Sequence, residues 1–158
     1  MYIINELKQN LKKYSGRKLI TFKSYEMQEL ETISKLDIEQ NEKDFINFRT
    51  KILNDKYAIN VLPLYQDYCI GWLYDIIKNK CENDQHFFQY CKKAFNFNIS
   101  ENEINTYLNF YYLVLDFPII LLSDISFTKI NKYLELIRNS VNNDTELKKL
   151  LKTPFICY

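Results

Sequence analysis

Two glycines and three prolines in 158 residues leave this chain few places to make tight turns. Sheet-rich folds need many such turns, and those turns draw on Gly, Asn and Pro. The shortage points to an all-α fold. A chain of this length sits at the usual size of one domain and buries enough surface for a core without staples. Residues 1–158 read as a single compact helical domain of about seven or eight helices. No linker, fixed-period repeat or low-complexity stretch divides them.

Apolar spacing places the helices. Ile3, Ile4, Leu7, Leu11 and Tyr14 form a first stripe that Gly16 stops; Lys18–Phe22 fits a short strand or an extended connector equally well. Ser24 is a good N-cap for a second helix whose buried stripe is Met27, Leu30, Ile33 and Leu36 or its neighbour. A third begins near Asn41 with Phe45, Phe48, Ile52 and Leu53. The fourth starts at Pro63, and pairs from Leu64-Tyr65 to Ile76-Ile77 recur every four residues to make one broad apolar face. Gly71 lies inside it at a cost of about 1 kcal/mol against Ala, which a close helix crossing would explain. A fifth helix starts at Asn83 or Asp84 and presents Phe87, Phe88, Cys91 and Phe95. Ser100 and Glu103 form a capping box for a sixth. This helix is apolar on every side from Phe110 to Leu115, so it is expected at the centre, and Pro118 ends or kinks it. A seventh spans about Ser126 to Val141 with Ile130, Tyr133, Leu134 and Ile137 inward. Asn143 and Glu146 cap a last short one, and the apolar tail from Phe155 to Tyr158 should dock.

Side chains that could carry chemistry are sparse. The single histidine, His86, stands midway between Cys81 and Cys91, but zinc sites need close pairs of ligands and four convergent groups. His86 and Cys91 are five apart on a helix and point to different faces, so no metal and no cofactor are expected. The bland alternative is a surface histidine and two core thiols. No CxxC pair occurs among Cys69, Cys81, Cys91 and Cys157, which read as reduced, mostly buried thiols of a cytoplasmic protein. HEPN ribonucleases carry an Arg shortly before a His. Here Asn79, Lys80, Cys81 and Glu82 precede His86 without an Arg, so that activity is not carried over. Gly16 and Gly71 are isolated, which excludes a phosphate-cradling loop. Asp67 and Asp75 lie two turns apart on one helix and face similarly. Paired carboxylates can do acid–base work, but such acids on a wet face are usually just solvated. The start of the chain lacks a secretory pattern, and the most apolar stretch, Phe110–Leu122, is broken by Asp116 and Pro118 and is too short for a membrane span.

Charge is distributed unevenly. Residues 1–23 hold six basic groups and one acid, while residues 24–44 hold seven acids (Glu26, Glu29, Glu31, Asp37, Glu39, Glu42, Asp44) and two bases. These segments either pair with each other, face water, or form an acidic surface that docks a basic partner; opposed potentials speed encounter and fix register. The formal charge of +1 gives no case for direct nucleic-acid or membrane binding. The thirteen tyrosines suit a core rim or a contact surface.

The Asn-, Lys- and Ile-rich composition and the want of a catalytic constellation give the chain an overall character that resembles the small immunity proteins of bacterial polymorphic and contact-dependent toxin systems. That resemblance implies a cytoplasmic inhibitor rather than an enzyme. Its partner would be a toxin domain, often a basic nuclease, whose active site or substrate groove it blocks. The seven acids would stand in for the phosphate backbone. The alternative is a small helical enzyme or enzyme subunit whose site a single sequence does not display.

Overall fold

The computed structural model describes residues 25–54, 64–117, 120–121, 125–140, 142 and 146. The expectations for the first helix, for Lys18–Phe22, for the Ser24 and Pro63 helix starts and for the docking tail lie outside these residues. Seven helices and no strand are found among the described residues, in an all-α arrangement: α1 (Tyr25–Ile33), α2 (Glu42–Leu53), α3 (Tyr65–Asn79), α4 (Asp84–Ala94), α5 (Glu101–Asp116), α6 (Phe127–Lys132) and α7 (Leu134–Ser140).

The core is built on the α3–α5 pair, the most extensive helix contact among the described residues. Gly71 makes that approach possible. A Cβ there would lie 2.7 Å from the Tyr111 Cβ and would also run into the Tyr107 carbonyl oxygen. The closeness offsets what a mid-helix glycine loses in chain entropy. Centrality is therefore shared. α5 buries Phe110, Tyr111, Leu113 and Val114. α3 buries Ile70, Gly71 and Tyr74 as well as most of the face that its spacing predicts, although Trp72 on that face is only half-buried. An amphipathic pattern with one broad face thus becomes a helix wrapped by its neighbours, because the residues between the stripes, Ile70 and Tyr74, are themselves large and apolar enough to pack.

Caps behave as local chemistry dictates. The Asn83, Ser100 and Ser126 side chains accept the backbone N–H of His86 (2.8 Å), Glu103 (3.0 Å) and Lys129 (3.2 Å) at the starts of α4, α5 and α6. α5 stops at Asp116, and Phe117 leaves the helical region (φ −134°, ψ 74°), as the residue before a proline is disposed to do. Two expectations are corrected. The segment from Ser126 onward is two short helices broken at Tyr133. Leu53 does not join the buried stripe of α2 but is 42% exposed, because it follows Ile52 by one position and so turns about 100° away from it.

Candidate functional site

The acidic stretch runs along α1, a connector and α2. Its apolar members turn inward: Leu30, Ile33, Ile38, Phe45, Phe48 and Ile52 are buried. The acids alternate with them and stay at the surface. Asp37, Glu39 and Asp44 are exposed, and Glu29, Glu31 and Glu42 are half-exposed; the side chain of Glu26 lies outside the described residues.

The connector between the helices is tightly held. Asp37 Oδ1 accepts the backbone N–H groups of Glu39 (2.9 Å) and Gln40 (2.8 Å), so this carboxylate shapes a turn. Ile38 plugs into the core, and its carbonyl accepts the Tyr90 hydroxyl of α4 at 2.7 Å in a buried bond. Burial first, then Glu42 and Glu39, hold that phenol well above its usual range, so it stays a donor.

Several acids have partners within the chain. Lys51 Nζ reaches both carboxylate oxygens of Glu29 at 3.1 Å, tying α2 to α1. Glu42 lies 3.8 Å from Lys93, and Glu39 lies 3.8 Å from His86 Nε2. His86 Nδ1 accepts the Glu82 backbone N–H at 3.2 Å, which places the ring proton of the neutral imidazole on Nε2, toward Glu39. Three of the described acids, Glu29, Glu39 and Glu42, therefore face bases from α2 and α4. Between α1 and α2 opens a groove of about 370 Å³ with Ile33, Leu36 and Phe48 as its floor and Glu29, Asp44 and Lys51 on its rim.

Chemistry is sparse elsewhere. Cys69 and Cys91 are buried thiols, and Cys81 is a thiol that is only half-buried, so it is not the core thiol expected. Burial and the neighbouring Cys81 push the Cys91 thiol up to about 12, and burial with Glu39 raises Cys81. Neither is poised as a thiolate. Among the described residues no group of three His, Cys, Asp or Glu side chains could hold a metal ion.

Two carboxylates on α3 depart from a solvated face. Burial pushes Asp67 up to about 6. Asp75 accepts the Tyr112 hydroxyl at 2.6 Å and Asn79 Nδ2 at 3.3 Å. Their half-burial escaped the sequence reading because it depends on what α5 brings alongside.

The tyrosines settle on one side of their question. Each tyrosine whose side chain is described is buried or half-buried, so these rings form core and rim. Tyr68, Trp72 and Tyr111 cluster at centroid distances of 5.4–6.2 Å. Among the described residues the aromatic that is displayed is Phe97, 83% exposed in the turn between α4 and α5, with Asn96 Oδ1 accepting the Asn98 N–H beside it. Its flanking asparagines were the available signal. No helix among the described residues is long and apolar enough to cross a membrane. Comparison with known protein families, with curated proteins and with solved structures found no match for this chain.

Proposed function

We propose that this chain is a binding protein that neutralises a cognate bacterial toxin, an immunity protein acting by occlusion of the toxin's active site or substrate groove. One observation carries the reading. From residue 29 to residue 44, Leu30, Ile33 and Ile38 are sunk in the core and Leu36 is half-buried, while the carboxylates stay partly or fully outside, so the stretch is a firmly seated acidic face. Such a face suits a basic protein surface, for example the phosphate-binding groove of a nuclease, by matching potential and register. The seat of this activity in the cytoplasm belongs to the same proposal.

The test begins with the product of the adjoining open reading frame. Co-expression with this chain should restore growth that the product alone arrests. Reversing Glu31, Glu39 and Asp44 to Lys should slow association and flatten its salt dependence, with helicity by circular dichroism unchanged. Rescue and on-rate that both survive the reversals remove the acidic face from the interface.

Asp67 favours a second reading, a small enzyme. It is a half-buried carboxyl brought close to neutrality, with Tyr107 near enough to feel its charge, and acid–base sites are built from such groups. Substrate turnover by the purified chain, lost in Asp67→Asn, would establish it over the inhibitor.

A further inference from the structure

The groove between α1 and α2 combines two features that a long basic side chain requires. Its floor is apolar: Ile33 and Phe48 are buried and Leu36 is half-buried. A carboxylate stands at its mouth: Asp44 is exposed, its backbone N–H donates to the Asn41 carbonyl, and no described residue is hydrogen-bonded or ion-paired to its carboxylate oxygens. This sets Asp44 apart from its neighbours. Glu29 is held by Lys51 through both oxygens, Asp37 is spent on two backbone N–H groups, and Glu39 and Glu42 face His86 and Lys93. Arg and Lys lay an aliphatic stem on apolar surface while the charged head seeks an anion.

We propose that this groove seats one arginine or lysine side chain of the protein partner, its stem on Leu36 and Phe48 and its head on Asp44. The assignment rests on the inhibitor reading above and names the contact that would set register within it. Charge complementarity selects the occupant. An acidic or neutral side chain would leave Asp44 unmatched at the rim, and a purely apolar one would forgo it. Glu29 adds a second carboxylate on the same rim, already neutralised by Lys51, so the groove presents one uncompensated negative charge to one incoming cation.

The groove is tested without the partner in hand. The ¹⁵N-labelled full chain is titrated with acetyl-Leu-Arg-Leu-amide to about 10 mM, enough to fill a site of millimolar affinity. Saturable amide shifts are expected at Thr32, Leu36 and Asn47. The same peptide with Gln in place of Arg should bind about threefold more weakly, as should the arginine peptide to Asp44→Asn, the size of one exposed charge pair. Glu101→Gln, on the first turn of α5, should change nothing. Shifts that fail to saturate, that scatter over other acids, or that persist undiminished in Asp44→Asn overturn the groove. So does an absence of binding, whether the notch is too shallow or the chain itself fills it. These outcomes leave the growth-rescue test standing, so the groove and the inhibitor reading fail separately.

Discussion

The α3–α5 seam and the α1–α2 flank hold together by different means. At the seam, two backbones touch at Gly71 and large side chains such as Tyr74, Phe110 and Leu113 are fully buried. At the flank, Leu30, Phe45 and Phe48 are also buried, but the outward turns carry Glu29 and Lys51, paired directly at 3.1 Å, and the exposed Asp44. The seam has no room to vary. The flank can change its charges and keep its fold. A chain that must recognise a partner without losing stability gains from that division, because recognition then sits where substitutions cost little.

The contrast can be broken at three points. Gly71→Ala should have the largest effect. The added Cβ meets backbone and a Cβ, neither of which can swing aside. With the clash at the top of the overpacking range, about 3 kcal/mol, a net loss of about 2 kcal/mol in urea unfolding is expected after the helix-propensity gain of about 1 kcal/mol. An unchanged or raised midpoint would show that the two helices can part at no cost.

Asp67→Asn sharpens the comparison by asking what an acid does at the dry end. The folded carboxyl titrates near 6 because of burial, against about 3.9 in the unfolded chain. Between those values the folded state holds a proton that the unfolded state has released, so Asp67 subtracts from stability as pH rises through the window. The Asn variant should be more stable at pH 7 by about 1–2 kcal/mol, allowing for the part of the carboxylate that remains wet, and should show no gain near pH 3.5. A gain independent of pH would mean that ionisation is not the cause.

Lys51→Ala should do least. The pair with Glu29 is about half exposed on both sides, 48% and 43%, and exposed pairs contribute about 0.2–1 kcal/mol. Unfolding in low and high salt should differ from the parent by no more than that. A larger loss would mean that the flank depends on its charges as the seam depends on its packing.

Much of the helix plan was legible because it is set by neighbours in the chain. Asn83 and Ser100 cap the helices they precede, and the Phe45–Phe48–Ile52 spacing turns inward as read. Gly71 was legible for another reason: a glycine inside a strong helical pattern has few explanations other than a close approach. What failed depends on partners far away in sequence. Nothing near Tyr133 signals a break, since neither Gly nor Pro is present. The burial of Ile70 and Tyr74 follows from helices that surround α3, and the raised Asp67 from the same enclosure. Within the candidate site, the acids were visible as a run. That Lys51, His86 and Lys93 meet three of them, and that Asp44 keeps an open rim above Phe48, needed α2 and α4 in place.

The hydroxyl of Tyr90 on the Ile38 carbonyl has a thermodynamic consequence for whatever meets this edge. A loop that must be frozen on contact subtracts its lost disorder from the affinity. Here the turn bearing Asp37 and Glu39 is already fastened to α4, so a partner that met it would have little of that ordering cost to bear.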